Sequence, residues 1–182
     1  GIGIGGVAGY TAAIFHILAH AVTKSQLFLS TPRLSEVSGN SLLFKNLQGA
    51  AMRSRNAGSF FSVGALSMIG IPIFAGFSSK ILFGVAAYES HSAKKFILVL
   101  LVLAASSLLN ALYFIRTMIR NYTAPSEEAA SEYVKVGKKN QKNDQSPAYV
   151  VPCMVLTAAN VFLGLFSWLV VEVIHRGLAM FA

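Results

Sequence analysis

Four side chains in this sequence are suited to passing protons through an apolar environment. His16, His20 and Lys24 recur at four-residue intervals in FHILAHAVTK, and Lys80 ends the stretch GIPIFAGFSSK. On an α-helix, four-residue spacing places side chains along one face, and this face would extend about 12 Å at 1.5 Å per residue. Histidine accepts and donates protons near neutral pH, and an ammonium group in a low-dielectric medium gives up its proton more readily than in water. The pattern therefore predicts a proton relay.

Each of these residues also has a simpler interpretation. A single histidine on an apolar helix is often a hydrogen-bonded packing residue, and a lysine near a helix end extends to the membrane interface. Ionisable groups at membrane depth cost at least ~2.5–3.5 kcal/mol each on insertion scales. Because three of them share one predicted face, the pattern favours a polar pathway, with interfacial lysines as the alternative.

The composition is that of a membrane protein. Of the 182 residues 54% are hydrophobic and only 12% are charged, and the mean hydropathy is +0.60. Soluble domains carry roughly 25% charged residues. The sequence therefore predicts an all-α integral membrane fold in a single membrane domain, residues 1–182.

About four transmembrane helices follow from the apolar runs. A hydrocarbon core of about 30 Å takes about 20 helical residues. Four runs are long enough, at residues 1–29, 58–87, 96–119 and 148–174. The stretch SLLFKNLQGAAMR between the first two runs predicts a short amphipathic, helical connection, and residues 121–147 predict a mobile polar loop.

The second run predicts a broken helix. Gly70, Pro72 and Gly76 fall in its middle, and proline removes a backbone donor and clashes with the preceding turn. In lipid, such a break persists only when it is buried in protein or lines a hydrated cavity. Lys80 follows the break directly, so unwound backbone and the hydroxyls of Ser78 and Ser79 would lie near its ammonium group.

Several classes of function are excluded or disfavoured. The net charge of +8 arises mainly from basic residues between apolar runs, which is typical of membrane topology rather than of nucleic-acid binding. Cys153 is the single cysteine, so a cysteine-clustered metal site is excluded. GIGIGG at the start has the spacing of a dinucleotide-binding motif but lacks the strand that this motif requires. No pair of residues suggests a catalytic centre, a metal site or a cofactor site.

Two motifs resemble one family. FHILAHAVTKSQLFL, followed about fifty residues later by GIPIFAGFSSK, is similar to the antiporter-like membrane subunits shared by respiratory complex I, membrane-bound hydrogenases and multi-subunit cation/proton antiporters. ALYFIRTM and the fourth apolar run follow the family's order. Members usually have about fourteen core helices, with a glutamate–lysine pair in an earlier half that has no counterpart here. The resemblance therefore implies the C-terminal part of such a subunit.

The resemblance also implies a role for each site residue. His16, His20 and Lys24 would form the hydrophilic axis that passes protons along the membrane plane, and Lys80 would be the terminal lysine beside the broken helix. The implied function is a half-channel of a proton-translocating NADH:quinone oxidoreductase-like complex in a bacterial plasma membrane or mitochondrial inner membrane. Other membrane subunits, the lipid bilayer and protons or Na⁺ would be its partners. The alternatives are a Na⁺/H⁺ antiporter subunit and a non-conducting structural subunit.

Overall fold

The described part of the chain is entirely helical. The computed structural model describes residues 1–41, 43–124 and 145–180, and these residues form seven α-helices without a strand. The helices are α1 (Gly6–Glu36), α2 (Ala50–Arg53), α3 (Arg55–Ile69), α4 (Ala75–Glu89), α5 (Ala93–Tyr122), α6 (Pro147–Leu165) and α7 (Ser167–Ala179). The predicted all-α class is confirmed.

Three helices are long and apolar enough to cross a membrane within the described ranges, namely α1, α5 and α6. Every residue in the most apolar stretch of α5 keeps access to the surroundings, as expected for a helix that faces lipid. The second predicted span is a pair of half-helices, α3 and α4. The fourth is divided as well, because the helix is interrupted at Phe166 and continues as α7.

The break between α3 and α4 lies at residues 70–74, where the sequence predicted it. Gly70 has φ +93, a left-handed conformation that glycine adopts without steric cost. Pro72 follows within the turn, and Ile73 has φ 87, which is rare for a β-branched residue. Gly76 lies just beyond the break, in the first turn of α4.

The connections differ from the predicted ones. Helix α1 continues to Glu36, beyond the predicted span end. The predicted amphipathic connection consists of turns followed by the four residues of α2. Arg53 links parts of this connection, because its guanidinium donates hydrogen bonds to the carbonyl of Gln48 (3.0 Å) and the hydroxyl of Ser38 (3.0 Å). Most of the predicted mobile loop, residues 125–144, lies outside the described residues.

The chain divides into two compact units. The first unit comprises Gly1–Thr23, Leu66–Ala111 and Ala158–Ala182, and the second comprises Lys24–Ala65 and Leu112–Thr157. In the first unit, α1 packs on α4 through small residues such as Ala12, Ala86 and Ala87. Small side chains let helix backbones approach closely, which is how helices associate in membranes.

The second unit contains polar residues that bind backbone groups and aromatic rings. Gln26 is buried and donates hydrogen bonds to the carbonyl of Phe60 (2.9 Å) and the hydroxyl of Thr157 (3.0 Å). The guanidinium of Arg33 lies 5.1 Å from the ring centroid of Tyr149. These contacts join α1, α3 and α6 within this unit.

Candidate functional site

The amino end of α4 is held by uncharged side chains from other helices. The first N–H groups of a helix have no partner inside it. Here the N–H of Ala75 donates to Oδ1 of Asn160 (3.1 Å), and the N–H of Gly76 donates to Oγ of Ser67 (3.2 Å). Side chains of α6 and α3 therefore accept the hydrogen bonds of these two N–H groups at the break in the second run.

Thr23, Ser67 and Asn160 form one buried group, which we term the polar cluster. Ser67 Oγ donates to Asn160 Oδ1 (3.0 Å), and Asn160 Nδ2 donates to Thr23 Oγ1 (3.3 Å). Thr23 Oγ1 in turn donates to the carbonyl of Ala19 (2.8 Å). All three cluster residues are buried, so the hydrogen bonds satisfy polar groups that would otherwise be costly to desolvate.

The carboxyl end of α3 is held by the ammonium group of Lys80. Its Nζ donates to the carbonyls of Ile69 (2.5 Å) and Met68 (3.4 Å) and to Oγ of Ser107 (2.7 Å). These three oxygens form what we term the lysine site. The last carbonyls of a helix lack partners and carry the negative end of the helix dipole, so they favour a positive charge here.

The two histidines lie side by side on α1. The centroids of the His16 and His20 rings are 5.7 Å apart, and His16 also meets the ring of Phe83 edge-on at 5.5 Å. His16 Nδ1 is 2.8 Å from Oγ of Ser79 on α4. The hydrogen bond orients the imidazole of His16 toward the helix that carries Lys80.

A cavity of about 170 Å³ joins the histidines and the lysine within the first unit. At about 30 Å³ per water molecule, this volume suits a short chain of waters. Its lining residues are His16, Ala19, His20, Thr23, Ser67, Met68, Gly76, Lys80, Ser106 and Asn110. No acidic side chain is among them in the described part of the chain. The cavity is not sealed, because His16 and His20 are exposed.

Lys24 is not among the residues that line the cavity. It lies one helical turn beyond His20 on α1 and is half-buried, but it belongs to the second unit. The structure thus brings together His16, His20 and Lys80, and the break residues Gly70 and Gly76 adjoin the same region. Across the described ranges, no group of three or more histidine, cysteine, aspartate or glutamate side chains is arranged to hold a metal ion.

Sequence reasoning missed the partners of these residues. Ser107 was not singled out, although paired serines in the apolar run LAASSLLN were an available signal. Thr23 and Ser67 were missed too, since hydroxyl residues are common in membrane helices. Asn160 bonds across helices, to Ser67 of α3 and Thr23 of α1, as polar residues of membrane helices commonly do.

Comparison with known proteins identifies the family. The model of the NADH:quinone oxidoreductase/Mrp antiporter transmembrane family matches residues 1–115. Subunit N of the NADH-quinone oxidoreductase of Desulforudis audaxviator is 33% identical over 170 residues, covering 92% of this chain and 33% of that protein. Subunit A1 of a Na⁺/H⁺ antiporter of Staphylococcus haemolyticus is 39% identical over 90 residues, covering 50% of this chain and 11% of that protein.

A solved structure agrees in fold. A chain of the Mrp complex from a Dietzia species superposes with a TM-score of 0.72 at 21% identity, covering 94% of this chain and 38% of that one. The protein is thus an integral membrane protein of the antiporter-like class. The chain belongs to the NADH:quinone oxidoreductase/Mrp antiporter family, as the two motifs predicted. It spans about a third of the length of the first of these relatives.

Proposed function

We propose that this chain contributes a half-channel to a proton-translocating NADH:quinone oxidoreductase-like membrane complex. The observation that carries the proposal is the cavity that His16, His20 and Lys80 line together. Because three ionisable side chains line one cavity that suits a short chain of waters, water in this cavity would give protons successive acceptors there. Other membrane subunits supply the redox chemistry, and this chain moves protons within the bilayer.

The proposed path alternates between imidazoles and water. No hydrogen bond joins His16 and His20 in the described structure, and their ring centroids are 5.7 Å apart, so the proposed path needs a water molecule to relay the proton between them. Histidine accepts a proton on one ring nitrogen while it donates from the other. Lys24, the third member of the predicted relay, lies one helical turn beyond His20 on α1.

Lys80 is the group whose charge changes in this mechanism. Its ammonium is held by neutral oxygens rather than by a carboxylate, so no fixed counter-charge in the lysine site opposes loss of the proton. Charge changes in neighbouring subunits then shift the balance between the protonated and the neutral form of Lys80, since Coulomb interactions are strong in a low-dielectric medium.

A second candidate function is a subunit of a multi-subunit Na⁺/H⁺ antiporter. Two observations favour it, namely the identity to an antiporter subunit A1 and the fold match to an Mrp complex. The two functions differ in their driving force. Acidification of vesicles on NADH addition supports the first, whereas pH changes that follow a sodium gradient without NADH oxidation support the second.

The test uses the assembled complex that carries this chain, reconstituted in lipid vesicles. We expect Lys80→Ala and Lys24→Ala to lower the initial rate of proton translocation on the order of a hundredfold while the complex still assembles. Lys94→Ala is the control, because Lys94 is exposed at the start of α5. A wild-type rate with both lysines replaced contradicts the proposal and identifies a non-conducting structural subunit.

A further inference from the structure

Ser107 occupies a special place among the groups around Lys80. It lies on α5, is half-buried, and accepts a hydrogen bond from Lys80 Nζ at 2.7 Å. The other two oxygens of the lysine site are main-chain carbonyls of α3. Ser107 is therefore the side-chain member of this site and the one that a substitution can remove.

The three oxygens of the lysine site differ in what they can do. A carbonyl oxygen only accepts hydrogen bonds, whereas a serine hydroxyl both accepts and donates. An ammonium group has three hydrogens, which match the three oxygens of this site. A neutral amine has two hydrogens and one lone pair, so it needs a donor that the carbonyls of Met68 and Ile69 cannot provide.

The backbone confines the lysine side chain to this site. A Cβ atom built on Gly70 would lie 2.8 Å from Nζ and 3.0 Å from Cδ of Lys80. The aliphatic chain of Lys80 therefore runs directly over the Gly70 backbone. This close approach leaves the amine beside Ser107, where a rotation of the hydroxyl reaches it in either charge state.

We propose that Ser107 is a positioning residue that holds Lys80 in both its protonated and its neutral form. The inference rests on the proposed function, in which Lys80 changes charge. When Nζ loses a proton to water or imidazole in the cavity, the electron pair stays on the nitrogen. The Ser107 hydroxyl then turns and donates its hydrogen to that pair. The neutral amine stays at the end of α3, ready to be protonated again.

The experiment compares Ser107→Ala with Ser107→Thr in the assembled complex in lipid vesicles. Hydrogen bonds to charged groups are stronger than those to neutral ones, so the hydroxyl favours the ammonium form. Its loss should shift the alkaline limb of the pH profile of proton translocation toward lower pH by about one unit and reduce the maximal rate. Ser107→Thr keeps a hydroxyl and should restore both quantities. Ser62→Ala is the control, since Ser62 lies in the second unit and donates to the carbonyl of Gly58.

Two outcomes overturn the inference. One is a wild-type rate and pH profile in Ser107→Ala, and the other is a Ser107→Thr complex that behaves like Ser107→Ala. If Ser107→Ala reduces assembly, Ser107→Cys carries the test, because a thiol has a similar shape but bonds weakly. Lys80→Ala, measured in parallel, distinguishes a failure of the proposed function from a failure of the inference about Ser107. A wild-type rate there refutes the proposed function, whereas loss of transport there with a normal Ser107→Ala refutes the positioning role alone.

Discussion

The two ends of the helix break are stabilised by different chemistry. At the amino end of α4, Asn160 and Ser67 accept the unpaired N–H groups with uncharged side chains. At the carboxyl end of α3, the unpaired carbonyls accept hydrogen bonds from the ammonium of Lys80. One end is therefore held by groups that do not titrate, and the other by a group that can change its charge.

A structural site and a chemically active site therefore lie within a few residues of each other at the break. The polar cluster is buried, and its Asn160 and Ser67 side chains accept the N–H groups of Ala75 and Gly76, so it fixes where α4 begins. The lysine site borders the cavity, through which protons reach it in the proposed function. A lysine can then gain and lose charge while the backbone of the break stays in place. Substitutions at the two ends should accordingly affect different measurements.

The largest effect on stability should come from a substitution at the amino end of α4. Asn160→Ala removes the acceptor of the Ala75 N–H and of the Ser67 hydroxyl, and each unsatisfied buried group costs about 1–3 kcal/mol. We expect a marked fall in the thermal melting temperature of the detergent-solubilised complex. Asn110→Ala is the matched control, because Asn110 is the half-buried asparagine of the same unit. Equal melting temperatures for the two variants would contradict a structural role for the polar cluster.

A smaller loss of stability should follow from adding a methyl group next to the break between α3 and α4. A Cβ atom on Gly164 of α6 would collide with the backbone carbonyl of Ile73, and overpacking typically costs about 1–3 kcal/mol. Gly164→Ala should therefore lower the melting temperature. Gly84→Ala is the control, since a Cβ there meets open space and the substitution favours the helix by about 0.5–1 kcal/mol. If both variants melt like the wild type, α6 does not set the geometry of the break.

The sequence predicted the features that depend on local rules. Gly70 and Pro72 identified the break because their backbone preferences act within a few residues. The four-residue spacing of His16 and His20 placed both rings on one face of α1, because helical periodicity is local. Hydropathy also acts locally and indicated apolar runs, three of which contain helices long and apolar enough to cross a membrane in the described part of the chain. The interruption at Phe166 was not predicted, although Gly164 lies two residues before it.

The partners of the site residues could not be read in the same way. Lys80 and Ser107 are 27 positions apart, and Ala75 and Asn160 are 85 apart. Contacts of this kind depend on how α5 and α6 pack against the break, and packing is set by many weak preferences together. Serine and asparagine are also ordinary hydrogen-bonding residues in membrane helices, so their types alone did not distinguish Ser107.

The most direct test of whether Lys80 must change its charge keeps a positive charge at position 80 but prevents its loss. Arginine stays protonated in proteins, so Lys80→Arg retains a cation at the end of α3, and Lys80→Met serves as the neutral counterpart. Proton translocation by the assembled complex in lipid vesicles is the measurement. We expect both variants to assemble and both to lose proton translocation to the extent expected for Lys80→Ala. Translocation at the wild-type rate by Lys80→Arg would contradict this expectation, because a permanently charged side chain would then suffice.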